Sequence, residues 1–145
     1  MCVSGAQTPQ NAMNQANANE MKFNSKILKS NADAKDNQSY DALARGSIAA
    51  GMHLRETAKM IGSQRAAMGA GNLDISSGTP LGILSETASL GSFDGRMIEF
   101  NASREAQGYQ NSARQDRANA FIERSKAKNL TRKQSAINLY IDPGI

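Results

Sequence analysis

Apolar positions along this chain recur at threes and fours, the spacing of a helix face. In the second half Leu84, Ala88, Gly91, Gly95, Ile98, Ala102, Ala106, Tyr109, Ala113 and Ala120 follow one side, with Leu90, Phe93, Met97 and Phe100 on its flanks. The first half is looser. Met13, Phe23, Ile27 and Leu28 are scattered, and the pattern tightens only at Leu54, Ala58, Ile61 and Met68. The only prolines are Pro9, Pro80 and Pro143, so a helix is free to run from about Asn14 to Met68. Gly46 and Gly51 each cost about 1 kcal/mol against Ala inside a helix. The polar stretch from Asn31 to Asp41 is a weak helix former, and a break or kink is expected there.

Between the two patterns lies GSQRAAMGAGNLDISSGTPLG, residues 62–82. Gly69 and Gly71 are suited to the positive φ that ends a helix, and Thr79-Pro80 reads as an N-cap with proline at the first helical position. Gly78 belongs to the same turn, and Leu73 and Ile75 are expected to tuck back onto the helices. The predicted fold is all-α: an elongated helical hairpin of two long helices joined by a Gly/Ser-rich connector, oligomeric. Its parts are a polar, flexible lead-in (1–13), a first arm (14–69), a connector (70–79), a second arm (80–128) and a basic, then extended, segment (129–145). In that last segment Ile137, Leu139 and Ile141 alternate with polar residues before an Asp-Pro-Gly turn. No internal repeat at a fixed period stands out.

Oligomerisation is expected from the second arm. Small residues at 88, 91 and 95 let another helix approach closely, and two mid-helix glycines call for such a partner. By this reading Leu84, Ala88, Gly91, Gly95, Ile98 and Ala102, with Phe93 and Phe100, are helix-packing or oligomer contacts. A lone hairpin has more apolar surface on this arm than its own partner helix can cover.

Composition supports helices packed along their lengths, because aromatics make up 5% of the chain and Trp is absent. The net charge of +4 is concentrated. Residues 114–133 hold seven Lys and Arg against Asp116 and Glu123, a local +5 that leaves −1 for the rest. Within it Arg114, Arg117, Lys126, Lys128, Arg132 and Lys133 are candidates for contact with phosphates or lipid head groups. No aromatic ladder for base stacking is interleaved with them.

Catalytic and metal chemistry find no constellation. His53 is the only histidine and Cys2 the only cysteine, and no HExxH is present. The glycines of 69–78 lack the lead-in strand and the Gly-Lys-Ser of a phosphate loop. Glu99 and Glu105 do not share a helix face. No cofactor, metal or enzymatic activity is expected. No run approaches the roughly 18 apolar residues that span a bilayer, and the first twenty residues lack the features of a secretory signal.

Residues 61–110, IGSQRAAMGAGNLDISSGTPLGILSETASLGSFDGRMIEFNASREAQGYQN, resemble the small internal virion proteins, or ejection proteins, of short-tailed bacteriophages. The similarity rests on Gly62, Arg65, Ala66 and Gly69, then Ser77, Gly78 and Pro80, then a long helix ending in Arg- and Gln-rich sequence. The Met1-Cys2 opening and Asp142-Pro143 are also similar. The resemblance implies a structural protein held in the capsid interior near the portal, ejected ahead of the genome to help form a conduit across the host envelope. Its implied partners are copies of itself in a ring or tube, other internal virion proteins, the portal, packaged DNA and the host outer membrane. Members of that family commonly continue into a Gly-, Ala- and Ser-rich tail, whereas this sequence ends at Ile145. Two other classes are distinguishable: non-specific nucleic-acid binding through 114–133, recognised by its salt dependence, and a lytic enzyme, recognised by peptidoglycan degradation.

Overall fold

The computed structural model describes residues 9–141, with side-chain surroundings given through residue 133. Two helices make up almost all of it, α1 (Pro9–Ala70) and α2 (Gly78–Ile141), and they pack against each other. The chain divides into two units. One takes residues 1–36 and 110–145; the other takes residues 37–109 and so contains the connection between the helices.

In the first unit the seam between the helices is built from small side chains. Ala18, Ser25 and Ala32 of α1 and Ala113, Ala120 and Ala127 of α2 are buried, each series stepping by seven residues. Half-buried residues fall between them, Asn14, Met21, Leu28 and Lys35 on one helix and Asp116, Glu123 and Leu130 on the other. Alternating steps of three and four keep a seam turned toward its partner helix. With Ala and Ser at every seventh position the backbones come close enough for Ser25 Oγ to donate to the Ala120 carbonyl at 2.9 Å.

In the second unit the seam comprises Ser39, Ala42, Gly46 and Ala50 of α1 against Leu84, Gly91, Gly95, Ala102 and Ala106 of α2, all buried. Nearer the connection it coarsens to half-buried Thr57, Ile61, Gln64 and Met68. Leu54 and Ala58 are exposed, so the face of α1 lies slightly around the helix from the one that the apolar spacing suggests. Ala88 is likewise exposed.

α1 is continuous helix through residues 31–41, where the sequence suggests a break or kink, so no break falls there. Tertiary contacts outweigh weak propensity here. Ala32 packs in the seam of the first unit, Lys35 Nζ donates to Asp116 at 2.6 Å, and Asp33 and Asp36 both accept from Arg117. The polar lead-in is helical from Pro9, inside the range 1–13 that was expected to be flexible. The segment read as extended is also helix, since α2 continues through Ile141 and includes Ile137, Leu139 and Ile141. The Asp-Pro-Gly turn lies outside the described residues.

Residues 71–77 connect the helices. The residue that ends α1 in the left-handed region is Asn72 (φ 54°), not Gly69 or Gly71. Asn72 N donates to Gly69 O at 3.1 Å and Leu73 N to Met68 O at 3.1 Å, the paired bonds of a Schellman cap. Asn tolerates this conformation better than most residues. Asp74 then accepts from Ser76 N (2.9 Å) and from the hydroxyls of Ser76 (2.5 Å) and Ser77 (2.8 Å). The Ser76 hydroxyl, the Ser76 amide and the Ser77 hydroxyl, in that order, hold the Asp74 carboxyl below its usual range. Gly78, with φ 66°, opens α2, and Pro80 lies within its first turn. Leu73 and Ile75 do not tuck back; both are exposed. The loop is held by backbone caps and its own polar bonds, which leave these side chains facing outward.

Candidate interaction surfaces

Most of the fully buried positions are small residues, while many large apolar residues lie outside. On α2 in the second unit, Ile83, Leu90 and Met97 recur every seven residues, with Phe93 and Phe100 three beyond the last two. All five are exposed, Phe93 by 59% and Phe100 by 52%. At 3.6 residues per turn this stripe lies roughly 140° around the helix from the Leu84, Gly91, Ala102 seam. It has the three-four spacing of a helix-packing face, but no partner helix of this unit covers it. Arg104 lies with its guanidinium carbon 5.8 Å from the centre of the Phe100 ring. On α1 of the same unit Tyr40, Leu43, Ile48, Met52 and Met60 are also exposed. In the first unit Met13, Phe23, Ile27, Phe121 and Ile122 are exposed.

Gly91 and Gly95 both lie in the intramolecular seam, and they differ. A β-carbon at Gly91 would stand 2.8 Å from Thr57 Cβ and closer still to both atoms beyond it, whereas one at Gly95 would meet Leu54 Cδ2 at an acceptable 3.4 Å. Ala therefore fits at Gly95 but not at Gly91. Gly46 is as tight, because its β-carbon would collide with that of Ala102.

The basic candidates separate into paired and free. Arg117 is held by Asp36 and Asp33, whose hydrogen bonds raise its pKa further. Lys126 donates to Glu123 at 2.8 Å. Arg114 and Arg132 are exposed. Lys133 borders a shallow depression with Met21, Lys126, Asn129 and Leu130. Lys128 faces a groove of about 440 Å³ that it shares with Lys22, Ser25, Lys26, Lys29 and Arg124. The three α1 lysines are absent from the basic stretch that stands out in the sequence. A different groove of the same unit, about 570 Å³, is lined by Ile27, Leu28 and Ile122 with Asn24, Asn119, Glu123 and Lys126.

His53 Nε2 lies 3.7 Å from Asp94 Oδ2, beyond hydrogen-bonding distance, and among the described residues no third ligand-type residue joins the two. Among the described residues no group of His, Cys, Asp and Glu is placed to hold a metal ion. No described helix is long and apolar enough to cross a membrane.

No family model, curated protein or solved structure matches the chain. The surfaces themselves are thus the ground for a functional reading.

Proposed function

We propose that the chain is a structural subunit that packs side by side with further copies of itself. Its proposed setting is the interior of a short-tailed phage particle near the portal, from which it is ejected to help form a conduit across the host envelope. The observation that carries assembly is the exposed stripe Ile83, Leu90, Phe93, Met97 and Phe100. Fully burying a large apolar side chain stabilises by about 1.5–3 kcal/mol. A helix that spends Ala and Gly on its own partner and keeps Leu, Met and Phe outside has its larger hydrophobic gain still to make. A second copy offers the same stripe, which makes the contact self-complementary.

The phage setting is supported by the resemblance of residues 61–110, which include this stripe and the connector. A ring or tube of helical hairpins suits a conduit, because the backbone hydrogen bonds along each arm are internal to its helix. An amphipathic face can also exchange a protein neighbour for a membrane interface with no loss of those bonds. In this reading the neighbours are the portal, other internal virion proteins, packaged DNA and, after ejection, the host outer membrane. The subunit has no catalysis of its own.

The test follows particles made without the protein. Capsids should form and adsorb normally while genome delivery fails. Normal infection by such particles, or absence of the protein from purified virions, contradicts the phage setting.

A further inference from the structure

We propose that the groove lined by Lys22, Lys26, Lys29, Arg124 and Lys128 is a site for the phosphodiester backbone of double-stranded nucleic acid, bound without regard to sequence. This rests on the first unit alone and is independent of the assembly reading. The five cations come from both helices, and the only other residue lining the groove is Ser25. The Ser25 hydroxyl is committed to the Ala120 carbonyl. No carboxylate borders the groove, and none of the five enters an ion pair among the described residues.

Their neighbours set them apart. Lys35, Arg117 and Lys126, in the same unit, each have an acidic partner. Lys22 and Lys26, Lys26 and Lys29, and Arg124 and Lys128 are instead like-charged pairs at helical steps of four, three and four, which disfavours the helix. Among the described residues no ion pair offsets that repulsion. A bound polyanion does. The unit as a whole carries eleven Lys and Arg against six Asp and Glu, a net +5, while the other unit stands at −1. The long-range field therefore draws anions to this unit.

The lining decides the class of anion. Membrane-surface helices set apolar side chains beside their cations, yet this groove has none; Ile27, Leu28 and Ile122 line the other groove. Single-strand sites stack bases on aromatic rings, and no ring is present. What remains is contact with phosphates. Lys22 to Lys29 spans roughly 10 Å of helix, the length over which one strand of a duplex presents about three phosphates.

The experiment measures binding of the full chain to a labelled duplex of arbitrary sequence by fluorescence anisotropy, as salt rises from 50 to 200 mM. Five neutralised phosphates give a log–log slope of about −4.5, a loss of about 500-fold in affinity. The triple variant Lys22→Gln, Lys26→Gln, Lys29→Gln should keep its helical circular dichroism while the slope falls to about −1.8. The pair Lys59→Gln and Arg65→Gln, in the other unit, should leave it unchanged. An unchanged slope in the triple variant overturns the proposal. So does tighter binding to a single strand, or binding to vesicles containing phosphatidylglycerol without binding to duplex.

Discussion

Gly91 and Thr57 meet so closely across the helix seam that a β-carbon at position 91 would stand 2.8 Å from the Thr57 β-carbon. Thr57 is stiff, and its Oγ1 is already donated to the His53 carbonyl at 3.0 Å, so it has little room to turn away. Gly91→Ala should destabilise the protein by about 1–3 kcal/mol despite the better helix propensity of Ala, the usual cost of overpacking. Gly46→Ala should behave alike, through Ala102. Gly51 has open space around its missing β-carbon, and Gly51→Ala should stabilise by up to about 1 kcal/mol. Urea unfolding of the three variants checks this; a stabilised Gly91→Ala would show that the helices are not in close contact there.

The seven-residue series of small side chains makes a second prediction. Ala120 is fully buried opposite Ser25, and Ala120→Leu should cost about 1–3 kcal/mol or more by forcing the helices apart. Ser25→Ala removes one hydrogen bond and keeps the shape, at a cost of about 0.5–1.5 kcal/mol. Thermal unfolding should therefore rank Ala120→Leu well below Ser25→Ala. Equal effects would mean that close approach is not what holds this unit.

The connector predicts a pH effect. The Asp74 carboxyl is depressed by its bonds to Ser76 and Ser77. Its contribution is accordingly present above the unfolded carboxylate pKa and is lost as pH falls through the lower folded value. Protection of the Ser76 amide, measured against its intrinsic exchange rate, should fall as the solution is acidified through that range, and Asp74→Asn should remove the pH dependence of that protection. A Ser76 amide equally protected at both ends of the range contradicts the role given to Asp74.

The helical class was legible because the second-half spacing of Leu84, Gly91, Gly95, Ile98 and Ala102 is strong and proline is absent from the interior of both arms. The seven-residue repeat was not. Ala18, Ser25, Ala32, Ser39 and Gly46 carry almost no hydrophobic signal, two are polar and one is a helix breaker by propensity, so a search for apolar periodicity passes over them. The same blindness suggested a break where Ala32 and Ser39 are buried in continuous helix. Asn72 took the turn that neighbouring glycines seemed to offer, a choice fixed by the register of the cap. The basic groove was half visible: Arg124 and Lys128 lie in an evident basic run, but Lys22, Lys26 and Lys29 join them from about 100 residues away in sequence. Only the pairing of the helices reveals which cations Asp33, Asp36 and Asp116 neutralise, whereas Glu123 pairs within α2 with Lys126.

Burial of the outward α2 stripe between copies, as proposed, is tested most directly by sedimentation velocity of the full chain over a wide concentration range. The wild-type protein should sediment as a multi-copy species that dissociates on dilution. The variant Leu90→Ser, Phe93→Ser, Met97→Ser, Phe100→Ser should sediment as a monomer with the same helical content, because these residues are exposed within one chain. A wild-type protein that stays monomeric at every concentration, or a variant that assembles as the wild type does, would contradict the account.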